Sequence, residues 1–223
     1  MMDVNEAYTL MLYIINKNQN GSFTRSDFFN TINQAQRSYQ SWLLGSFQTY
    51  TPGRPISKVE LGQNSVVRQR LSPTIYKVVL TIDGSGNSNY PADYIQTDSM
   101  YTSTGNKRIR NVQQNSLDSN INSVIDPIAT NPIYLIEDTK FQFYPVTTAT
   151  AKLSYVGDAP DIVWGFTLDV NGREVYDAGT SVQPVWSNAA MLDIIERALK
   201  IVGVNLQSGA VMNYAKEINI LGQ

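Results

Sequence analysis

A chain of 223 residues with a 42% hydrophobic share and a formal net charge of −2 holds enough apolar material for one good core or two small ones, and it advertises no broad polyanion-binding or membrane-adhesive face. It contains no histidine and no cysteine, which removes disulfides, imidazole and thiolate metal ligands, and Ser-His or Cys-His catalysis together; any chemistry would fall to carboxylates, lysine or tyrosine. The longest apolar run near the N-terminus, Leu10 to Ile15, is too short to span a bilayer, and Asp3 and Glu6 stand where a signal peptide would be basic, so the chain reads as soluble and without an export signal.

Asp3-Val4-Asn5-Glu6 fits a capping box, and Val4, Ala7, Met11 and Ile14 follow at helical spacing toward Lys17. After a polar turn, Lys17 to Ser22, a second box at Thr24-Arg25-Ser26-Asp27 opens a longer helix striped by Phe28, Ile32, Ala35, Tyr39 and Leu43 and ending near Gly45. The short connection predicts an antiparallel helical hairpin. From Pro52 the period shortens: Val66 to Arg70 and Ile75 to Ile82 read as strands, and Asp83 to Asn89 as a loop. "YPADYI" follows at Tyr90 to Ile95, and Thr97 to Asn120 is a polar stretch that predicts only short strands at its edges. "PIYLIED" and "TKFQFYP" predict a hairpin, "TAKLSYVGDAPD" (Thr150 to Asp161) a third strand, and Asn171-Gly172 a type I′ hairpin. After Pro184, Ser187 caps a helix striped by Met191, Ile194, Ile195, Ala198, Ile201 and Val202, and a last stretch from Ser208 repeats the spacing through Val211, Ala215, Ile218 and Leu221. The order predicts an α+β fold: a helical bundle built from the N- and C-terminal helices, residues 1–50 and 185–223, with a central antiparallel β-rich insertion, residues 51–184.

Glu137-Asp138 and the pair Asp158 and Asp161 could serve a glycosidase or a hard cation, but both sit in predicted turns, where exposed acids cap and shape the backbone. Asp169-x-Asn171-Gly172 with Glu174 lacks the ligand ladder of a calcium loop, and the hairpin turn accounts for it. "DGSGN" at Asp83 to Asn87 has neither the lysine nor the helix start of a phosphate loop. The densest basic patch is "NKRIR", Asn106 to Arg110; near Tyr101, its Lys107, Arg108 and Arg110 could lie beside DNA, and the plainer reading is a strand edge protected by charge. Trp186 reads as a buried staple or an interface anchor. No residue is assigned to catalysis, to a cofactor or to a metal.

"GSFTRSDFFNTINQAQRSY", Gly21 to Tyr39, sets Thr24, Asp27 and Phe28 ahead of Ile32, Asn33, Ala35 and Gln36. This pattern resembles the N-terminal signature of head–tail connector proteins of tailed bacteriophages, in particular the portal-adaptor or neck-ring proteins of crAss-like and other Bacteroidota phages. Pro91, Asp93 and Tyr94 are similar to the "P-x-D-Y" of that family, the "NPIY…FQFYP…LSYV…P" series resembles its central hairpin, and the segment opened by Trp186 resembles its C-terminal helix. The resemblance covers most of the chain in order and leaves Thr97 to Asn120 unmatched.

It implies a structural virion protein of the neck or tail, assembled in the host cytoplasm, without catalysis or cofactor. The subunits would form a ring, usually of twelve copies, below the portal and coaxial with the DNA channel. The implied partners are further copies of the chain, the portal protein, the next neck or tail ring protein, and duplex DNA that passes without sequence-specific binding; no membrane is implied. A ring subunit presents flat faces to two neighbours, and tyrosine, proline and short strands supply rigid contact area for them. Two other readings stay open. A carbohydrate- or protein-binding module of a phage tail or bacterial surface would carry aromatic platforms on its strands, and a glycosidase would need two acids facing one cleft. The terminal helices favour the connector.

Overall fold

Asp3 and Thr24 start the first two helices in the way their neighbours require. In the computed structural model, which describes residues 2–17, 23–45, 65–121 and 127–205, helix α1 is Val4–Lys17 and helix α2 is Arg25–Gly45. The Asp3 N–H donates to Glu6 Oε2 (3.1 Å) and the Asn5 N–H to Asp3 Oδ1 (3.0 Å). At α2 the Asp27 N–H donates to Thr24 Oγ1 (3.2 Å) and the Thr24 N–H to Asp27 Oδ2 (2.9 Å). Both boxes thereby satisfy donors that a helix start leaves unpaired. The α2 stripe is buried throughout, from Phe28 to Leu43. In α1 the buried set is Val4, Ala7, Met11 and Ile15, with Ile14 only half-buried. At about 3.6 residues per turn, Ile15 falls nearer the mean direction of the other three than Ile14 does.

Val66 to Arg70 is not a strand. Helix α3, Ser65–Leu71, covers it and runs into a 3-10 turn at Ser72–Thr74. The paired valines carry strand propensity, but Arg68, Gln69, Arg70 and Leu71 are good helix formers, and α3 packs on α2 rather than beside a strand.

The strands follow: β1 Ile75–Thr81, β2 Asn87–Asn89, β3 Tyr94–Thr102, β4 Arg110–Asn111, then helix α4 Leu117–Ile121, then β5 Ile133–Ile136, β6 Lys140–Tyr144 and β7 Thr150–Gly157. They form two sheets, ordered β1-β7-β3 and β2-β6-β5-β4. The β5–β6 hairpin closes with the Glu137 N–H on the Lys140 carbonyl (3.0 Å). The next strand does not extend it. β7 crosses to the other sheet and pairs antiparallel with both β1 and β3. Its residues from Leu153 to Gly157 are buried without alternation, the pattern of a strand flanked on both sides and covered on both faces. Leu80, Met100, Ile109, Tyr134, Phe141, Phe143, Leu153 and Tyr155 form a core drawn from both sheets.

The polar stretch 97–120 is built from short elements, not from edge strands alone. β3 runs on to Thr102, and residues 107–109 return alongside it, with the Thr102 N–H on the Lys107 carbonyl and the Ile109 N–H on the Met100 carbonyl, both at 2.8 Å. Arg110–Asn111 then joins β5 in parallel. Its buried apolar residues, Met100, Ile109, Val112 and Leu117, are spaced too widely to show a period, so no pattern announces it.

Strands β8 (Phe166–Leu168) and β9 (Glu174–Tyr176) form the last hairpin, and helix α5 is Asn188–Asn205. The hairpin loop is not type I′. That turn needs positive φ at both central residues, whereas Gly172 adopts it (φ 75°) and Asn171 does not. The loop instead closes from the Asp169 N–H to the Arg173 carbonyl (2.9 Å), with the Gly172 N–H on the Asp169 carbonyl (3.0 Å). The Asp169 carboxylate, accepting from the Asn171 and Arg173 N–H groups (both 2.8 Å), organises it as an Asx turn. At α5 the Ala190 N–H reaches Ser187 Oγ (3.4 Å), and the helix packs on α1 and α2.

Among the described residues the chain is thus α+β, with five α-helices and several largely antiparallel sheets. It divides into two units, one taking the described residues up to Pro73 and from Ala159 onward, the other Thr74–Asp158. The second division falls before the β8–β9 hairpin, not near Pro184, because Arg25 ion-pairs with Glu174 (3.3 Å) and stacks on Phe166 (3.6 Å), and the Tyr176 hydroxyl donates to Asp3 Oδ1 (3.0 Å). The turn after Lys17, the region around Pro52 and the stretch from Ser208 lie outside the described residues.

Candidate functional site

Asn33 and Gln36 lie one turn apart on α2 and are both buried. A buried amide is costly unless its donors and acceptors are met. Asn33 Nδ2 donates to the Ile162 carbonyl (3.0 Å) and Oδ1 accepts from the Ile162 N–H (2.7 Å), so the side chain pairs with the passing segment as a strand would. Gln36 Nε2 donates to the Pro160 carbonyl (3.0 Å), and Oε1 accepts from the Trp186 indole N–H (3.0 Å). Trp186 is fully buried and meets the Tyr39 ring edge-on at 5.4 Å. It is a staple here, not an exposed anchor. Ala35 and Phe28 are buried on the same helix, and Phe28 meets Tyr8 edge-on at 5.1 Å. Thr24, Asp27, Phe28, Asn33, Ala35, Gln36 and Trp186 are therefore brought together in one unit as cap, core and clamp.

Pro91, Asp93 and Tyr94 turn the chain into β3 in the other unit. The Tyr94 N–H donates to the Pro91 carbonyl (3.1 Å), and the Tyr94 ring stacks on Tyr90 at 4.5 Å. Asp93 Oδ1 accepts from the Tyr155 hydroxyl (2.9 Å), while its carbonyl accepts from the Asp158 N–H (2.8 Å). Burial, together with the bonded Asp93 carboxylate, pushes the Tyr155 phenol up to about 12. Burial also lifts Tyr90, whose hydroxyl donates to the Glu137 carbonyl, to about 12. Gly157 packs so closely that a Cβ there would stand 2.6 Å from Asp93 Oδ2 and 2.7 Å from the Tyr76 ring. Tyr76, Tyr90, Tyr94, Tyr134 and Tyr155 thus line or border the sheet core.

Lys107, Arg108 and Arg110 are all exposed, and the two arginines pair with different sheets. Arg110 pairs with Ile133 in the second sheet, whereas Arg108 lies directly across from Tyr101 beside the first. Sequence reading missed the lysines that share that face, Lys77 and Lys152. Their signal was the strand alternation Lys77-x-Val79 and Lys152-x-Ser154, which becomes informative only once the register is known.

One member of each acidic pair is held in an ion pair. Glu137 pairs with Lys140 (3.2 Å), Asp161 with Arg37 (2.9 Å), and Asp169 holds its turn. In "DGSGN" the Asp83 carboxylate accepts from the Ser85 (2.9 Å) and Asn87 (2.8 Å) N–H groups, which holds its pKa below the usual carboxylate value. Among the described residues, no three His, Cys, Asp or Glu side chains gather where they could hold a metal ion, and no helix is long and apolar enough to cross a membrane. No protein-family model matches the chain, and no curated protein matches it significantly.

Proposed function

We propose that the chain is a structural subunit of the head–tail connector of a tailed phage, a ring component that joins the capsid portal to the tail and surrounds the DNA passage. In this reading the terminal helices form a bundle that acts as frame, and the β-rich segment is inserted into it. The observation that carries the proposal is the use made of the ordered motif residues. Thr24 and Asp27 cap α2, Asn33 and Gln36 clamp the segment 159–162 and Trp186, and Asp93 tethers Tyr155. Residues spent on fixing a frame suit a part whose work is to hold a shape between neighbours, and the role asks for no reaction.

The test is assembly. Mass photometry of the purified chain, alone and with the portal protein of the same virus, should yield a ring-sized species or a stable portal complex. A strict monomer that never joins the portal would refute the reading.

A further inference from the structure

We infer that the exposed end of the outer face of the β1-β7-β3 sheet, beyond the covered stretch of β7 from Ser154 onward, is a docking surface for the phosphodiester backbone of nucleic acid. It extends the connector reading, and rests on that reading only for the choice of duplex over single strand. Directly opposed residues in an antiparallel sheet share a face. The register Val79↔Lys152↔Tyr101, continued by the bridge Tyr101↔Arg108, therefore lines Val79, Lys152, Tyr101 and Arg108 across the sheet in one row. Two residues along, Lys77 stands opposite Ser154 on the same face. The opposite face carries Leu80, Ala151, Leu153 and Met100 into the core, which assigns the row to solvent. Val79 is 59% and Tyr101 37% exposed, and Lys77, Lys152 and Arg108 are exposed as well.

Cations outnumber carboxylates on this face, with Lys77, Lys152 and Arg108 against one acid. The three strands carry a single carboxylate, Asp98, which accepts from the Ser154 (3.0 Å) and Ser99 (3.4 Å) hydroxyls. Lys152 reaches Asn106 Oδ1 (2.9 Å), so its ammonium is positioned by a neutral partner. With strands about 4.8 Å apart, the row crosses roughly 14 Å. A duplex carries one charge per about 1.7 Å of axis, so the row can meet several phosphates at once. Lysines on a flat sheet contact the backbone without reaching base edges, and binding should be indifferent to sequence. The face was hidden in a chain of net charge −2, because its cations come from positions 77, 108 and 152 and only strand pairing unites them.

The experiment is fluorescence anisotropy with a labelled duplex at low salt, using the full chain. Binding should weaken steadily with salt. Lys77→Glu combined with Lys152→Glu should reduce affinity by roughly tenfold and make the log–log salt slope shallower by about 2. Arg173→Glu, a charge reversal on the β8–β9 loop, should leave binding unchanged, and circular dichroism should show all variants folded. Equal loss in Arg173→Glu, no binding at any salt, or equal affinity for polyglutamate would overturn the inference. Tighter binding to single-stranded DNA would overturn the choice of duplex. The two readings fail separately: a chain that binds duplex through this face but never joins a portal loses only the connector, and a double variant that still joins the portal in a preparation whose parent binds no DNA loses only the docking surface.

Discussion

Gln36 shows how much one side chain can carry when it is buried with every polar atom used. Replacing it with leucine keeps the volume but leaves the Trp186 indole N–H and the Pro160 carbonyl without a protein partner. Gln36→Leu should therefore lower unfolding free energy by about 2–4 kcal/mol in urea titration. Trp186→Phe in the same background should cost less than in the parent, because the orphaned donor is then absent. At the β core the informative residue is Tyr155. Its folded pKa of about 12 lies above the ordinary value of 10.0, so the folded state holds the phenol proton more tightly than the unfolded chain does. The stability this confers is complete below about pH 10 and is lost as pH rises from about 10 to about 12. Urea midpoints should decline across that window, and more gently in Tyr155→Phe. The tyrosines 76, 90, 94, 134 and 155 serve or border this interior, while Tyr13 and Tyr101 are exposed.

At the scale of elements, the helix faces follow from spacing and the turns from local chemistry. Ile32 and Ile195 lie on the buried faces of α2 and α5, which pack together. An aspartate at either position would place an unpaired charge in the core, and Ile32→Asp and Ile195→Asp should each destabilise by roughly 3–5 kcal/mol. Parent-like melting of both variants would show that the helices do not form a shared core. The β8–β9 loop makes a finer prediction. Gly172 holds φ 75° with open space around its Cα, so the cost of a side chain there is conformational alone. Gly172→Ala should cost about 1 kcal/mol and Gly172→Asn less, since asparagine tolerates the left-handed region. Capping boxes, buried stripes and the β5–β6 hairpin were legible because each is settled within a few residues. The helical state of Val66 to Arg70 was not, because two β-branched residues argue for a strand and the packing of α3 on α2 is a long-range fact.

For the whole molecule, chelation gives a simple check on the structural reading: excess EDTA should leave the melting temperature unchanged, whereas a clear drop would reveal a metal that the frame depends on. The α+β class, the alternation of helical and strand-rich stretches, and the absence of histidine and cysteine chemistry were set by the sequence alone, since they depend on composition and short-range period. Tertiary structure decided the rest. β7 left the hairpin that precedes it and became the centre of another sheet, which no local signal specifies, because a run buried on both faces is equally at home beside any strand with a matching register. The segment from Ala159 joined the helices through Asn33 and Gln36, contacts separated by more than half the chain. The basic row arose likewise, from residues that read as isolated surface charges until pairing brought Lys77, Lys152 and Arg108 onto one face. Periodicity reports which side of an element is buried; only the partner strand decides what lies next to it.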